Sequence, residues 1–327
     1  MGEILYREAL RLGIDEALSK DPNVFIMGED IGAYGGAYAV TDGLLDKYGS
    51  DRVKDTPISE ATFIGAGVGA AMAGLIPIVE LMSISFSLVA FDQIVNMAAN
   101  IRYMSGGQIN VPMVLRAPTG AGVQLAATHS QSFETWLSEV PGLKCVCPST
   151  PYDALGLLRS ALKDMNPVFI AEPAMLYTKK GNIPEEYYEI EIGKANVVKS
   201  GMDVSLISYG HGMDVIRESS EILSSRGLDP EIIDLRSLNP IDEETIINSV
   251  TKTNRVILVD TSRKTGGIMA EVASLIMDKA GDWLDGPIVR IGSSDVPWPY
   301  NRNLEKKAFI DSVSVIEAFD KAYSSLW

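Results

Sequence analysis

The carboxylate of Glu60 stands directly before residues 61–79, an uncharged run that holds four glycines and five alanines. At the start of a helix, a carboxylate is stabilised by the helix dipole, and spacing alone favours this local role. At a buried, glycine-lined helix start, the same carboxylate can also accept a hydrogen bond from a ring N–H. It would then hold a bound heterocycle in one tautomer, with its pKa set by desolvation.

Two more candidate side chains, His129 and Glu29, follow apolar runs typical of buried strands. Loops at the carboxyl ends of parallel strands are where α/β proteins bind ligands. His129 can transfer protons near neutral pH, although a single histidine more often has a structural role. Glu29, in IMGEDIG, is either a local cap or a site carboxylate, and composition does not choose between them. His211, between two glycines, is typical of a loop or a helix cap.

The segment GAGVGAA, at 65–71, has the glycine spacing of a dinucleotide-binding turn. That motif requires a strand directly before it and an acidic residue about 20 positions later. The preceding residues, DTPISEATFI, contain a proline and no strand-like run, and Glu80 follows too early. The four-residue spacing of Gly65, Gly69 and Ala73 instead predicts a smooth helix face for close packing.

The charge balance and the cysteine and histidine content exclude several classes of function. The 327 residues include 28 Lys and Arg against 43 Asp and Glu, a net charge of −15. This argues against nucleic-acid binding, which starts from a basic surface. Cys145 and Cys147 are predicted to be reduced thiols of the core, because no second pair completes a zinc site. With two histidines in the sequence, a histidine-rich metal site is not expected.

The elements that must position these residues alternate between strand-like and helical runs, which predicts α/β layers around parallel sheets. Predicted in the first half are the strands NVFIMG, IPIVEL, VPMVLRA, LKCVCPS and PVFIAEP and helices near 61–74, 86–104 and 151–164. Residues 174–203 are polar and mixed, which indicates a connection between domains. Predicted in the second half are the strands VSLISYG, PEIIDLRS, RVILVD and PIVRIG and helices near 212–225, 242–250, 267–279 and 313–327.

The uncharged run 61–79 is long enough to nominate a membrane span. Its small residues and Pro77 instead predict a helix followed by a short buried strand. The first 20 residues carry dispersed charges with a helical period, which is not the pattern of a secretory signal. We therefore expect a soluble, cytoplasmic protein that binds no membrane.

Several longer segments, together and in order, resemble one protein family. They are MGEDIG, TPISEATFIGAGVGAAMAGL, FDQIVNMAANIRYMSGG, HSQSFETW, PGLKCVCPSTPYDALGLL and DMNPVFIAEP. The family is the β subunit of the thiamine-diphosphate-dependent decarboxylating component of 2-oxo acid dehydrogenase complexes. In the second half, IIDLRSLNPID and VPWPYNRNLE resemble its transketolase C-terminal-type domain. The resemblance implies an α/β fold with two domains: a transketolase-like pyrimidine-binding thiamine-diphosphate domain at 1–185 and a transketolase C-terminal-type domain at 200–327.

The resemblance also implies roles for the candidate residues. Glu60 matches the glutamate that hydrogen-bonds the aminopyrimidine ring of thiamine diphosphate and promotes the imino tautomer, which removes the thiazolium proton. His129 matches the histidine of proton transfer during reductive acylation of the lipoyl group. Glu29 matches a carboxylate in the acidic, water-filled path between paired active sites. The family lines its pyrimidine pocket at the positions of Ile58, Met82 and Phe86, all equally suited to an apolar core.

A potassium site is implied by position alone. Family members that carry it use backbone carbonyls at the places of Met113, Ala161 and Leu162, followed by Asp164 and Asn166. Carbonyl and carboxylate oxygens suit a hard cation.

Diphosphate binding in this cofactor class uses a Gly-Asp-Gly motif and a later asparagine to hold magnesium. The chain has no such motif, since TDG at 41–43 and LDG at 284–286 lack the first glycine. No Walker-type loop is present either. The resemblance therefore implies that this chain holds the pyrimidine end of the cofactor. A separate α subunit supplies the diphosphate and magnesium sites, within an α2β2 heterotetramer.

The implied reaction is decarboxylation of a 2-oxo acid and transfer of the acyl-level fragment to lipoyl-lysine on the acyltransferase core component. Pyruvate, branched-chain and acetoin dehydrogenases share this scaffold. Met82 and Phe86 lean towards the pyruvate type, since Gln and Tyr are expected there in the branched-chain type. A one-chain transketolase-like enzyme would need its own Gly-Asp-Gly domain, for which 327 residues leave no room. A non-catalytic scaffold subunit is the last alternative, and the presence of Glu60 and His129 argues against it.

Overall fold

The computed structural model describes residues 2–323, which form two compact units. Unit 1 consists of Met1–Thr119 and Ser132–Ile192, and unit 2 of Gly120–Gln131 and Gly193–Trp327. The division after Ile192 lies inside the polar segment 174–203. Residues 120–131, which fall within the expected first domain at 1–185, belong to unit 2, because Ala121 packs with Trp298 and Ala308 in a small apolar cluster.

Unit 1 contains short strands that alternate with helices. Its strands are β1 (Gly2–Leu5), β2 (Val24–Gly28), β3 (Val53–Asp55), β4 (Ile76–Glu80), β5 (Val114–Thr119), β6 (Lys144–Val146), β7 (Val168–Pro173) and β8 (Lys180–Ile183). Its α-helices are α1 (Tyr6–Lys20), α2 (Leu44–Tyr48), α3 (Glu60–Met72), α4 (Ile101–Met104), α5 (Glu134–Ser138) and α6 (Pro151–Ala161). It also has 3₁₀-helices at Ile84–Ala90 and Ala174–Leu176 and a π-helix at Gln93–Ala99.

Six strands of unit 1 are parallel and lie in the order β6-β7-β5-β4-β2-β3. β2, β5 and β7 are buried along their whole length, as expected where helices cover both faces of a parallel sheet. α1 and α6 pack together, and their apolar side chains join the strands in one core. Because the strands are parallel, the residues that follow β2, β4 and β5 lie at the same edge of the sheet.

Helix α3 packs closely on β4 because Gly67 has no side chain. A Cβ at Gly67 would lie 2.8 Å from Cγ2 of Val79. The predicted packing face of Gly65, Gly69 and Ala73 is different: Gly69 and Ala73 are exposed, and a Cβ at Gly69 would meet no atom within 4 Å. The helix therefore packs through Gly67, a position that four-residue spacing does not select.

Unit 2 is a second α/β unit. Its strands are β9 (Asn196–Lys199), β10 (Val204–Ser208), β11 (Pro230–Asp234), β12 (Ser237–Asn239), β13 (Val256–Arg263) and β14 (Val289–Ser293). Its α-helices are α7 (Gly212–Ser225), α8 (Glu243–Thr253), α9 (Ile268–Ala280), α10 (Arg302–Ala308) and α11 (Ser312–Tyr323), with a 3₁₀-helix at Gly281–Trp283. The sheet order is β14-β13-β10-β11-β9, with β9 antiparallel to β11 and the other pairs parallel. α7 and α11 share its core.

The predicted strands of both halves and most predicted helices are confirmed. Thr150 caps α6, accepting a hydrogen bond from the Asp153 N–H at 3.1 Å. The single helix predicted near 86–104 is wrong: that stretch changes from 3₁₀ to π to α geometry. The axis bends by 71° at the break between Ile84–Ala90 and Gln93–Met104. The final helix, predicted for 313–327, lies partly outside the described residues.

Among residues 2–323, no single helix is long and apolar enough to cross a membrane. The bent pair Ile84–Ala90 and Gln93–Met104 reaches that length and composition only when its two parts are counted together. The run 61–79 forms α3 and most of β4, as the sequence predicts.

Candidate active site

The acidic pair Glu29 and Glu60 lies in unit 1. Glu29 directly follows β2, and its side chain is only 4% exposed. The residue before it, Gly28, packs closely against the neighbouring strand β4. A Cβ at Gly28 would lie 2.6 Å from the Glu80 carbonyl oxygen, so a larger residue would push the end of β2 away. Glu60 is the first residue of α3 and is 6% exposed, so the helix dipole stabilises its negative charge. Both carboxylates are therefore almost fully buried in unit 1.

Glu29 has the properties of a proton-exchanging group. Burial, then the charge of Glu60, then that of Asp30 raise the pKa of Glu29 to about 7. Its Oε1 atom is buried and has no hydrogen-bond partner among the described residues. A carboxyl group in this state exists in both protonation forms at neutral pH and has a free oxygen for a further polar group.

The three apolar positions of the expected pyrimidine pocket do not lie in the core. Ile58 is 84% exposed, and it stands two residues before Glu60. Met82 and Phe86 are half-buried, Met82 after β4 and Phe86 in the 3₁₀-helix Ile84–Ala90. Ser83 begins that helix by accepting a hydrogen bond from the Ser85 N–H at 3.2 Å. The exposure of Ile58 excludes the alternative role of a core residue, and its place in the pyrimidine pocket stays a prediction.

His129 belongs to unit 2 rather than to the unit that carries the acidic pair. Its loop, Gly120–Gln131, starts directly after β5, as the sequence predicts, and is closed at its base by the hydrogen bond from Gly120 N–H to the Gln131 carbonyl at 3.0 Å. The His129 side chain is exposed, and its Nδ1 lies 2.9 Å from the Thr128 hydroxyl. The imidazole is thus accessible and held on one side by a neighbour. His211, by contrast, stands at the N-cap position of α7, as predicted.

Several oxygen atoms of the expected potassium site already have protein partners. The Met113 carbonyl accepts a hydrogen bond from Val168 N–H at 3.0 Å, and the Ala161 carbonyl accepts one from Asp164 N–H at 3.2 Å. The Asp164 carboxylate pairs with the Lys144 ammonium and accepts two further bonds from Asn166. These partners lower the pKa of Asp164. A carbonyl oxygen keeps a second lone pair for a cation, and the Asp164 carboxylate, with three of about four acceptor sites in use, keeps one on Oδ2.

A buried ionic cluster on β4, β5 and β7 was missed by sequence reasoning. The Arg116 guanidinium, 1% exposed, binds the Glu172 carboxylate through two bonds of 2.7 and 2.6 Å and also pairs with Glu80. Tyr177 donates a third bond to Glu172 at 2.6 Å, and burial raises the pKa of its hydroxyl. Single charged residues inside the apolar runs IPIVEL, VPMVLRA and PVFIAEP were the available signal.

No cluster of three or more His, Cys, Asp or Glu side chains suited to a metal ion occurs among residues 2–323. Cys145 and Cys147 are buried and form no disulfide bond, as predicted.

The comparisons with known families cover nearly the whole chain. Residues 2–180 match the transketolase pyrimidine-binding domain, and residues 193–315 match the transketolase C-terminal domain. The solved structure "Split gene transketolase, inactive beta4 tetramer" aligns with 99% of both chains at a TM-score of 0.78. Its sequence is 22% identical, so it supports the fold alone.

Curated relatives are much more similar in sequence. "Pyruvate dehydrogenase E1 component subunit beta" of Gracilaria tenuistipitata var. liui is 47% identical, over 97% of this chain and 98% of the relative. The protein of the same name from Cyanidium caldarium is 48% identical over 97% of both chains. That of Rhizobium meliloti (strain 1021) is 45% identical, over 97% of this chain and 69% of the relative. The chain therefore belongs to the family of pyruvate dehydrogenase E1 component β subunits, thiamine-diphosphate-dependent enzymes with transketolase-type pyrimidine-binding and C-terminal domains.

Proposed function

We propose that this chain is the β half of a pyruvate dehydrogenase-type component that decarboxylates a 2-oxo acid and transfers the acyl fragment to lipoyl-lysine. In this proposal it is active only with an α subunit, as an α2β2 heterotetramer, and delivers the product to a lipoyl acyltransferase core. Its 45–48% identical relatives carry the pyruvate dehydrogenase name, which supports pyruvate as the 2-oxo acid. Met82 and Phe86 agree with that choice.

The observation that carries the proposal is the buried acidic pair of Glu29 and Glu60. A raised pKa near 7 makes Glu29 able to gain and lose a proton at neutral pH. The nearly buried Glu60 carboxylate can accept a hydrogen bond from a heterocycle N–H and thereby hold that ring in one tautomer. The two carboxylates thus provide a proton-holding and a ring-orienting group in the unit that matches the pyrimidine-binding family.

Glu29 and the three apolar side chains expected to line the pocket suit the pyrimidine end of thiamine diphosphate. The unpartnered Glu29 oxygen offers a polar contact, and Ile58, Met82 and Phe86 offer accessible apolar surface. When bound, thiamine diphosphate supplies the nucleophilic carbon and the electron sink for decarboxylation. This chain would hold the ring through Glu60. The diphosphate and magnesium would be held by the α subunit, because the Gly-Asp-Gly motif is missing from the sequence.

His129 would act in the second half of the reaction. Its exposed imidazole is accessible, and histidine is the side chain that most often acts as a general acid or base, as transfer to a lipoyl group requires. A potassium ion would be bound by carbonyl oxygens of Met113, Ala161 and Leu162, with Asp164 and Asn166 following them in the sequence. For the compartment we propose the cytoplasm, although one relative is named as mitochondrial and another as chloroplastic.

Reconstitution tests the proposal. The purified chain, alone or with an α subunit of a pyruvate dehydrogenase, is given thiamine diphosphate and magnesium. Carbon dioxide release from pyruvate and from 3-methyl-2-oxobutanoate, and cleavage of acetoin, are then measured. We expect no turnover by the chain alone and turnover by the pair, fastest with pyruvate. Comparable turnover by the isolated chain would contradict the half-enzyme assignment, and faster acetoin cleavage would change the substrate.

A further inference from the structure

The loop Gly120–Gln131, which carries His129, is held by a side chain that the proposed function does not use. The Glu305 carboxylate Oε1 accepts a hydrogen bond from Gly122 N–H at 3.0 Å and one from Gln124 N–H at 3.2 Å. Glu305 is only 4% exposed. A buried carboxylate that accepts from two backbone N–H groups makes charge-assisted bonds, which are stronger than neutral ones.

Helix α10 presents this carboxylate to the loop. Asn301 caps the helix, accepting hydrogen bonds from Asn303 N–H at 3.0 Å and Leu304 N–H at 3.3 Å. Glu305 therefore lies in the first turn of a short, capped helix that has little freedom to shift. It is also the last residue of VPWPYNRNLE, a segment of the family resemblance to which the sequence assigns no role.

The same segment holds the loop through an apolar contact. Trp298 is 4% exposed and packs with Ala121 and Ala308, next to the Phe309 ring at 5.6 Å between centroids. At the far end of the loop, the Arg263 guanidinium donates a hydrogen bond to the Gln131 side chain at 3.1 Å. Side chains outside the loop thus hold it near both ends. Of these contacts, the hydrogen bonds to Glu305 lie nearest to the middle of the loop.

The loop backbone needs such an anchor. Gln124 and Ala126 have φ values of 59° and 62°, in the left-handed region that residues with a Cβ adopt at a cost. One of the two N–H groups bound by Glu305 belongs to Gln124 itself. Without that acceptor, we expect the strained turn to relax and to displace His129, five positions further on.

We propose that Glu305 is a positioning residue for acyl transfer: through the Gly122 and Gln124 amides, it holds the His129 loop in its working conformation. The assignment rests on the proposed function of His129. It predicts that loss of Glu305 slows the lipoyl step and leaves decarboxylation nearly unchanged, because the acidic pair of unit 1 does not depend on these hydrogen bonds.

The experiment compares the wild-type chain with Glu305→Ala, Glu305→Gln and His129→Ala. Each full-length chain is first studied alone by hydrogen–deuterium exchange, and then with the α subunit in two assays. One assay measures pyruvate oxidation with an artificial electron acceptor, and the other measures acylation of a free lipoyl domain. For Glu305→Ala we expect faster exchange confined to peptides of 120–131. We also expect about a 10-fold or larger loss of lipoyl acylation, with oxidation within about twofold of wild type.

Glu305→Gln keeps an acceptor oxygen and is expected to recover most of the loss, whereas the Glu305→Ala/His129→Ala double variant is expected to be no slower than His129→Ala. Glu231→Ala is the matched control. It removes an equally buried carboxylate of unit 2, which accepts a hydrogen bond from Gly201 N–H at 3.3 Å away from the loop. It is expected to leave the ratio of the two rates unchanged.

Unchanged exchange at 120–131, or equal losses in both assays, would overturn the positioning role. A wild-type pair inactive in both assays would instead refute the proposed function, and the catalytic part of this inference with it. The exchange data would still decide whether Glu305 anchors the loop.

Discussion

At the scale of the residue, environment decides what a carboxylate can do. Glu29 and Glu60 are the same side chain and are both nearly buried, but one follows a strand and the other begins a helix. The helix N-terminus stabilises a negative charge at Glu60, while Glu29 lacks a hydrogen-bond donor at Oε1 and faces the charge of Glu60. These surroundings raise the pKa of Glu29 to about 7.

The raised pKa of Glu29 predicts a pH dependence of stability. Its pKa is about 7 in the folded chain against 4.5 when unperturbed, so the fold favours the protonated form. The stabilisation is fully present below the unfolded pKa and is lost as the pH rises through about 7. Glu29→Gln mimics the protonated group at all pH values. Relative to wild type, we expect it to gain on the order of 1 kcal/mol between pH 5 and pH 8, allowing for solvent screening.

The measurement is urea unfolding of the full-length chain over that pH range. Glu231→Gln, at a buried carboxylate that pairs with Lys252, is the control and should keep the wild-type slope. A Glu29→Gln variant with the same slope as wild type would show that Glu29 does not titrate in this range.

Two single substitutions should separate the half-reactions. In the reconstituted pair, Glu60→Gln is expected to lower decarboxylation by about 10²-fold or more, because the ring loses its acceptor carboxylate. His129→Ala is expected to retain oxidation with an artificial electron acceptor and to lose lipoyl acylation by a similar factor. Steady-state rates of both assays check this, with circular dichroism to verify folding. Rates close to wild type in both variants would show that these roles do not transfer to this chain.

At the scale of the element, helix α3 shows how packing places a functional group. Gly67 brings the helix onto β4, and that approach determines where Glu60 stands at its first turn. The neighbouring 84–104 stretch is not one helix but three short ones, so that Phe86 and the exposed Tyr103 and Met104 lie on separately oriented segments.

Glycine-to-alanine substitutions on α3 test this packing. Gly67→Ala places a methyl group 2.8 Å from Val79 Cγ2, and we expect it to lower the free energy of unfolding by about 1–3 kcal/mol. Gly69→Ala, on the exposed face of the same helix, is the matched control. It should raise the free energy of unfolding of the isolated chain by about 0.5–1 kcal/mol, because alanine is the better helix former. Urea unfolding distinguishes the two, and equal effects would exclude a specific role for Gly67.

At the scale of the whole molecule, the proposed function makes the isolated chain a folded but incomplete enzyme. Its two units have their own sheets and cores, while Ile58, beside Glu60, remains 84% exposed. An apolar side chain at this place contributes little to the stability of the chain alone. In the assembled enzyme it would be covered by the cofactor and the α subunit.

Ile58→Asp tests that interpretation. Because the side chain is exposed in the isolated chain, we expect its free energy of unfolding to stay within about 0.5 kcal/mol of wild type. The reconstituted pair should lose activity by about 10-fold or more, since a charge would be buried in an apolar contact. Val313→Asp, at an exposed position of unit 2, is the control for added charge and should leave activity unchanged. Full activity of Ile58→Asp would show that the Ile58 side chain remains exposed to solvent in the reconstituted pair.

Much of the architecture could be predicted from the sequence, because buried parallel strands form continuous apolar runs. β2, β4, β5, β7, β10, β11 and β13 each correspond to such a run. Five short strands could not be found in this way: β1, β3, β8, β9 and β12. Their residues are a mixture of polar and apolar types, and they pair over a few residues or with strands far away in the sequence. The helix near 86–104 failed because composition does not distinguish α from 3₁₀ or π turns.

The sequence by itself determined the fold class, the candidates Glu29, Glu60 and His129, and the lack of a diphosphate motif, because these depend on local pattern and residue type. Only the tertiary structure decided which glycine packs α3 on β4, that the His129 loop belongs to unit 2, and that Glu305 holds it. It also placed Glu29 beside the charge of Glu60, which raises its pKa. These properties depend on contacts between residues far apart in the chain, up to 183 positions for Gly122 and Glu305, and such distances leave no periodic signal in the sequence.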